Sequence, residues 1–391
     1  MAKKIYKLAV EPLTCVHIGS GNKLTLLDYT VCRASANRNL YAKFSSDKIL
    51  HRIATDAQKV SAFERASEAG NMKTLHSFFQ NNVNVNEDAE YLCDVTSEFS
   101  SLYTRNKEKD PYDNAAVVEQ MYRPGDSAKP VIPGSSLKGA VRTAVLNNLM
   151  GNLSDKDYDG FRDELENCRK DSEKRKLEGN IQKKLLGKSD AKNDPFRAVE
   201  IADCCFKAKG TQIVGLLKTV SSNKNSGELF VSNSMQIQAE AIKGSLMGPC
   251  GIGESIMRIN EGLQSSEDRN GKNAVSKALS ISDIACSCNY FYWREFEKEY
   301  NKFYKDSVEN CDLIVKLKGE LDSCRKNKNQ FIIRVGHWSQ VEFVTFEENF
   351  RSPKTRMIRG KALPYGTTRT LFNYDGQYLP LGWCKCSIEE I

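Results

Sequence analysis

The stretch that decides the fold is PVIPGSSLKGAVRTAVLNNLM, residues 130–150. A short apolar run meets a Pro-Gly pair and two serines, and a helix-forming run follows, which predicts a strand that leads directly into a helix. The apolar residues of that helix recur every four positions and predict one buried stripe. The stripe consists of Leu137, Val141, Val145 and Leu149.

The start of this helix carries groups that suit an anion. The hydroxyl of Ser135 or Ser136 can cap the first turn, and Lys138 and Arg142 share one face at helical spacing. Free N–H donors, hydroxyls and cations in one place are typical of an anion site, and nucleic-acid phosphate is the commonest large biological anion. Gly139 lies inside the helix at a cost of roughly 1 kcal/mol relative to alanine, which indicates the close approach of another helix or of a ligand.

The composition describes a globular chain with a mild excess of positive charge. The 391 residues include 57 Lys and Arg against 50 Asp and Glu, a formal net charge of +7. This excess slightly favours an acidic partner, although the distribution of charge matters more than its sum. No apolar run reaches the roughly 18 residues that a membrane span needs. The N-terminal apolar run ends at Pro12, so we expect no signal peptide, no membrane contact and a cytoplasmic location.

The chain has 13 cysteines but no CxxC pair. The CxC pairs Cys286/Cys288 and Cys384/Cys386 are accompanied by no histidine at zinc-ligand spacing. We therefore expect reduced, buried cysteines that pack as small apolar side chains, with no metal and no cofactor. A structural zinc site is the alternative.

Strand and helix patterns are mixed along the chain without a regular βα alternation, which predicts an α+β fold. Two β-α-β-β-α-β units, the ferredoxin-like motif, would account for both halves. Between them, residues 155–194 hold eleven basic and eleven acidic residues and predict a solvated helical insertion, with a protein-contact surface as the alternative. The predicted units are an N-terminal domain over 1–153, an insertion over 154–193 and a C-terminal domain over 194–391. Locally, Leu24–Cys32 predicts one strand and Ser46–Ala69 one helix.

The most one-sided charge run lies between Arg351 and Tyr374, with six basic residues and no acidic one. Aromatic residues and two glycines are interspersed, as in a loop that follows a nucleic-acid backbone and stacks on bases. An ordinary solvated loop is the alternative. The candidate RNA ligands in this run are Arg356, Arg359, Lys361, Thr367, Thr368 and Arg369.

Two glycine-containing loops follow predicted strands. Backbone N–H groups of the loop HIGSG, residues 17–21, can cradle a phosphate, and VGHW, residues 335–338, has a similar setting. The candidate RNA ligands here are His17, Gly19, Ser20, Gly21, Arg334 and His337, beside Ser135, Ser136, Lys138, Gly139 and Arg142 of the helix.

The helix motif resembles the IPGSSLKGALR-type motif of the RAMP proteins, the RNA-binding subunits of CRISPR effector complexes. LAVEPLTCVHIGSG, residues 8–21, looks like the family's opening strand and loop, and DPFRAVEIADC, residues 194–204, looks like its midpoint strand. RVGHWSQ, residues 334–340, and LPLGWCKCSIEE, residues 379–390, are similar to the C-terminal part of the capping subunit of type III-A (Csm) complexes.

The resemblance implies two RRM-like domains, in agreement with the ferredoxin-like pattern. It implies a non-catalytic subunit that binds the guide RNA (crRNA) and caps its 3′ end in antiviral defence, contributing to crRNA maturation and assembly. The implied partners are crRNA and neighbouring RAMP backbone subunits. The small helical subunit, target RNA and a host exoribonuclease are further candidates.

The same resemblance bears on catalysis. Cleaving relatives place an aspartate just after the glycine loop, where this chain has Asn22 and Lys23, and the nearest acid is Asp28. We therefore expect no catalytic residue, since nothing at this position can act as a base or hold a metal. The alternative is an endoribonuclease that processes precursor crRNA through His17 or His337. A scaffold subunit that contacts mostly protein is the third possibility.

Overall fold

The described residues form strands and helices in the irregular order of an α+β fold, which confirms the predicted class. The computed structural model describes residues 3–36, 38–112, 114–125, 127–187, 191–207, 209–221, 229–264, 275–305, 312–346, 350, 368–374 and 376–391. The strands are β1 Lys3–Pro12, β2 Gly19–Leu24, β3 Tyr29–Ser35, β4 Arg38–Phe44, β5 Ala89–Val95, β6 Val118–Met121, β7 Val131–Ile132, β8 Val199–Ile201, β9 Cys204–Cys205, β10 Thr211–Ser221, β11 Leu229–Ile242, β12 Gly253–Asn260, β13 Gln330–Arg334, β14 Thr370–Tyr374, β15 Gln377–Pro380 and β16 Trp383–Glu390. The helices are α1 Ser46–Ile53, α2 Ala57–Glu68, α3 Met72–Asn82, α4 Val85–Asp88, α5 Ser97–Asn106, α6 Gly134–Met150, α7 Asp155–Asn167, α8 Asp171–Leu186, α9 Glu261–Gln264, α10 Ile281–Glu299 and α11 Asp312–Lys326.

The first sheet has the order β13-β16-β1-β12-β9-β7, and β8 also pairs with β12. β1 is antiparallel to both of its neighbours, β12 and β16. Residues of this sheet share one large core with α6, α8, α10 and α11. The N-terminal strand is therefore held between two strands that come much later in the chain.

The second sheet has the order β2-β6-β11-β10-β5-β4-β3, with β14 and β15 attached through β10. Its β5–β10 and β6–β11 pairs are parallel. Like the first sheet, it takes strands from both halves of the sequence. The predicted boundaries at 153 and 193 consequently do not coincide with the two sheets.

The helix α6 begins differently from the prediction. Pro133 occupies the N-cap position and makes no side-chain cap hydrogen bond, so the expected serine cap is wrong. The N–H of Gly134 instead donates to Asp203 Oδ1 at 2.7 Å. A Cβ at Gly134 would lie 2.1 Å from the carbonyl oxygen of Ile201, the last residue of β8. A glycine is therefore needed where the helix begins. The predicted apolar stripe is confirmed, because Leu137, Val141 and Val145 are buried and Leu149 packs half-buried against the same core.

Residues 155–194 are largely helical, as predicted, but only part of the segment is solvated. No residue of α7 is buried. One side of α8 packs into the core of the first sheet. Its buried side chains are Leu177, Ile181, Leu185 and Leu186. Although the segment is highly charged, α8 is amphipathic, because its apolar residues recur at helical spacing.

Two predicted elements are each divided by an aspartate. Leu24–Cys32 is not one strand, because Asp28 Oδ2 accepts from the N–H of Thr25 at 2.7 Å and closes a turn there. Ser46–Ala69 is not one helix, because Asp56 caps α2 by accepting from two N–H groups of its first turn.

The cysteines of the described residues are unpaired. Seven are buried, and burial raises the pKa of Cys15 and Cys204 to about 12, so these thiols remain protonated and pack as apolar groups. The buried cysteines are Cys15, Cys93, Cys204, Cys288, Cys324, Cys384 and Cys386. Within the described ranges, no cluster of three His, Cys, Asp or Glu side chains is arranged to hold a metal ion. No helix of the same ranges has the length and apolar character needed to cross a bilayer.

Candidate nucleic-acid interface

Three motifs that are far apart in sequence line one cavity of about 660 Å³. The HIGSG loop contributes Gly19 and Gly21, the helix α6 contributes Gly139, and the loop after β13 contributes Gly336 and His337. The tertiary structure thus brings together three of the motifs that the sequence predicted to be functional.

The helix α6 presents small residues to this cavity. Ser136, Gly139, Ala140 and Thr143 line it at helical spacing. A Cβ at Gly139 would meet no atom of the described residues within 4 Å. No described helix approaches Gly139 this closely, and the alternative of a ligand is retained as a prediction.

The predicted cations of α6 lie away from this cavity. Arg142 donates through Nη1 and Nη2 to the two carboxylate oxygens of Asp194, at 3.0 Å each. Lys138 is half-buried, and burial lowers its pKa. The expected phosphate site at the helix start is corrected, because the chain's own carboxylates, Asp203 and Asp194, accept from Gly134 and Arg142.

His17 lies at the edge of the cavity with its ring almost fully buried. Its Nδ1 is 2.7 Å from the carbonyl oxygen of Glu240. Its Nε2 is buried and has no hydrogen-bond partner among the described residues. Burial lowers the pKa of His17, so the imidazole is neutral near pH 7.

Glu240 is itself fixed by a buried network. Its carboxylate forms an ion pair with Arg123 and accepts from the Tyr91 hydroxyl at 3.1 Å and the Met121 N–H at 3.3 Å. Arg123 stacks on Tyr91 with 3.9 Å between guanidinium carbon and ring centroid. This network holds the backbone that orients His17.

The loop after β13 is locked against His17. The N–H of His337 donates to the carbonyl oxygen of His17 at 2.8 Å. Gly336 has φ +94°, and a Cβ there would lie 2.5 Å from the same oxygen. The ring centroid of His17 is 6.3 Å from that of His337 and 5.0 Å from that of Trp338. Both predicted histidines therefore border one site.

Two arginines that the sequence predicted as RNA ligands instead form ion pairs in the core. Arg334 Nη1 donates to both carboxylate oxygens of Glu299 at 3.1 and 2.9 Å. Arg369 Nε lies 2.6 Å from Glu299, and its Nη2 lies 3.1 Å from Glu342. These carboxylates neutralise both guanidinium groups in the interior. Only Arg334 borders the cavity.

The other predicted ligands divide into two groups. Ser20 Oγ donates to Gln120 Oε1 at 3.4 Å, and Ser135 is exposed outside the cavity lining. Thr368 is half-buried beside Arg369. The ligands proposed within the basic run that lie outside the described residues are Arg356, Arg359, Lys361 and Thr367.

The structure adds lining residues that the sequence analysis missed. Glu119 and Gln120, on β6, and Lys23, on β2, face the cavity. The Lys23 ammonium is 3.9 Å from the Glu119 carboxylate. Because β2 and β6 are far apart in sequence, only their pairing reveals this contact. With Arg334 also paired, the charges of the described residues that line the cavity nearly cancel.

Comparison with solved structures shows the same fold. A chain of the cryo-EM structure of a Csm–crRNA–target RNA ternary complex from a type III-A CRISPR-Cas system aligns with a TM-score of 0.65 at 16% identity, covering 98% of this chain and 100% of that one. The crystal structure of Csm5 from T. onnurineus aligns with a TM-score of 0.56 at 15% identity, covering 96% and 99%. No curated protein sequence matches significantly.

The sequence itself assigns the family. The profile of the RAMP superfamily matches residues 10–313, a range that includes the HIGSG loop and all of α6. The chain therefore belongs to the RAMP superfamily, and its fold is that of RAMP ferredoxin-like domains resembling Csm subunits.

Proposed function

We propose that this protein is a non-catalytic crRNA-binding subunit of a type III-A CRISPR (Csm) effector complex. In this role it caps the backbone filament at the 3′ end of the crRNA and contributes to crRNA maturation in antiviral defence. Its partners are crRNA and the neighbouring RAMP backbone subunits. The resemblance to a chain of a crRNA-containing complex and to Csm5 supports this role.

The observation that carries the proposal is the convergence of the HIGSG loop, α6 and the Gly336 loop on one cavity. Glycines and small polar residues at its wall let a nucleic-acid backbone approach main-chain N–H groups closely. Since Lys23 and Arg334 are each paired with a carboxylate, hydrogen bonding and shape contribute more here than net charge.

The proposal predicts binding without cleavage. The full chain is incubated with end-labelled precursor crRNA, with and without divalent cations, and ultraviolet cross-links are mapped by mass spectrometry. We expect intact RNA and cross-links at residues 19–23 and 136–143. Cross-links confined to other surfaces would remove the cavity from the RNA path.

A second candidate function is an endoribonuclease. It is favoured by the 6.3 Å separation of the His17 and His337 rings beside one cavity, because two imidazoles can serve as acid and base in RNA cleavage. Metal-independent cutting that His337→Ala abolishes would establish this activity and overturn the non-catalytic role. RNA that stays intact with both the wild-type protein and His337→Ala would exclude the nuclease.

A further inference from the structure

The cavity contains a hydrogen-bond acceptor that no described protein group satisfies. A carbonyl oxygen can only accept, so the short contact with Glu240 places the ring proton of His17 on Nδ1. Nε2 is then a bare lone pair, buried and without a partner among the described residues. A buried acceptor is costly when unpaired, so this nitrogen is suited to receive a donor from a ligand.

Gly19 leaves a space beside this nitrogen. Gly19 is exposed and lines the same cavity as His17. A Cβ at this position would lie 3.3 Å from Nε2 and, chain neighbours aside, would meet no other described atom within 4 Å. The absence of a side chain at Gly19 therefore keeps the space next to Nε2, on the cavity side of the ring, unfilled.

The chemistry of the acceptor selects its partner. A phosphodiester offers acceptors only and cannot pair with a lone pair. Base N–H groups differ from base to base, whereas every ribonucleotide carries a 2′-hydroxyl, which DNA lacks. The charge balance of Lys23 with Glu119 and of Arg334 with Glu299 also favours a neutral donor over an anion at this point.

We propose that His17 Nε2 accepts a hydrogen bond from a ribose 2′-hydroxyl, so that this cavity distinguishes RNA from DNA. The inference rests on the proposed RNA-binding function and specifies the group that the site recognises. His17 contacts the ligand and determines specificity, while Glu240 positions the ring through its backbone carbonyl.

The test uses the full chain and three unstructured oligonucleotides of equal length: oligouridylate, its 2′-fluoro analogue and oligodeoxyuridylate. The 2′-fluoro analogue keeps the bases, the phosphates and a ribose-like sugar pucker but cannot donate from C2′. We expect the wild-type protein to bind oligouridylate about fivefold to tenfold more tightly than the 2′-fluoro analogue, the equivalent of one hydrogen bond.

Two substitutions separate the roles of the ring nitrogens. In His17→Asn the amide N–H can still donate to the Glu240 carbonyl, but no acceptor remains at Nε2, so we expect the preference to disappear while 2′-fluoro binding is kept. His17→Gln can place an amide oxygen near the Nε2 position and should restore part of the preference for oligouridylate. His51→Asn, which changes an exposed histidine of α1 that does not line the cavity, is the matched control and should leave the ratio unchanged.

Each other outcome is decisive. Equal wild-type affinity for oligouridylate and its 2′-fluoro analogue would overturn the inference and leave the proposed function standing. If His17→Asn keeps the preference for oligouridylate over its 2′-fluoro analogue, the inference is also overturned. If His17→Asn lowers the affinities for these two oligonucleotides equally, the inference is overturned and His17 contacts a base instead. If the wild-type protein binds none of the oligonucleotides, both the inference and the proposed function are overturned.

Discussion

At the scale of single residues, paired charges decide which cations are available to a ligand. Arg142 and Arg369 belong to motifs that suggest phosphate binding, yet each is paired with a carboxylate of its own chain. A guanidinium that already makes two hydrogen bonds to a carboxylate has its charge balanced and keeps fewer N–H donors for a phosphate. Arg142 therefore contributes chiefly to stability.

Arg142→Glu should reduce the free energy of unfolding by about 2 kcal/mol, because it removes a bidentate ion pair and sets a second carboxylate against Asp194. Urea denaturation measures the change. Lys138→Glu, one turn earlier on the helix, is the matched control and should have a clearly smaller effect. Equal effects of the two substitutions would mean that the Asp194 pair does not stabilise the fold.

A second buried histidine should make the stability of the fold depend on pH. His76, in α3, is buried, and neither ring nitrogen has a hydrogen-bond partner among the described residues. Burial lowers its pKa, so the unfolded state binds more protons than the folded state as the pH falls below about 6.5. Stability is therefore expected to decrease below that pH.

His76→Leu should weaken this acid dependence, since leucine fills the site without binding a proton. The free energies of unfolding at about pH 7.5 and about pH 5.5 give the dependence of stability on pH. Part of this dependence should remain in His76→Leu, because burial also lowers the pKa of His17. His51→Gln alters an exposed histidine of α1 and should leave the slope as in the wild type. An unchanged slope in His76→Leu would show that this residue does not bind a proton preferentially on unfolding.

At the scale of elements, α6 contains two glycines with opposite roles. Gly134 allows the helix start to touch the end of β8, where a Cβ would lie 2.1 Å from the carbonyl oxygen of Ile201. Gly139 touches no described neighbour within 4 Å and faces the cavity. The first glycine is required by packing, while the second weakens the helix and leaves room for a ligand.

Gly139→Ala should raise the free energy of unfolding by up to about 1 kcal/mol and yet lower RNA affinity, because its methyl group narrows the cavity. Gly179→Ala in α8 is the matched control: its Cβ also meets nothing described within 4 Å, so it should stabilise similarly without affecting RNA. Thermal unfolding and a filter-binding assay measure the two quantities. Unchanged RNA affinity in Gly139→Ala would argue against a ligand at this helix face.

At the scale of the whole molecule, the two halves of the chain are interleaved. β1 pairs with β12 on one side and β16 on the other. The N–H of Leu13 also donates to the carbonyl oxygen of Trp383 at 2.8 Å. The ends of the chain are thus joined through one sheet, and both sheets depend on strands from each half.

Fragments 1–153 and 154–391 should therefore not fold separately, because each loses partners for its central strands. Amide NMR spectra are expected to show poor dispersion for either fragment alone and native-like dispersion for the co-expressed pair. A well-dispersed spectrum from the isolated fragment 1–153 would show that the predicted N-terminal domain is autonomous.

The sequence by itself determined the local features of this protein. The apolar spacing of 137–149 predicted the buried stripe of α6, the mixed pattern predicted the α+β class, and the RAMP resemblance predicted the family. These features depend on short-range periodicity or on contiguous motifs, which a linear sequence contains in full.

The tertiary structure alone decided which motifs share a site and which charges are free. The pairing of β2 with β6 brings Glu119 to the cavity, and the contact of His337 with His17 joins loops from opposite ends of the chain. Asp203 and Asp194 accept from the helix start and from Arg142. Such contacts depend on long-range strand pairing and on burial, and composition and spacing do not encode them locally.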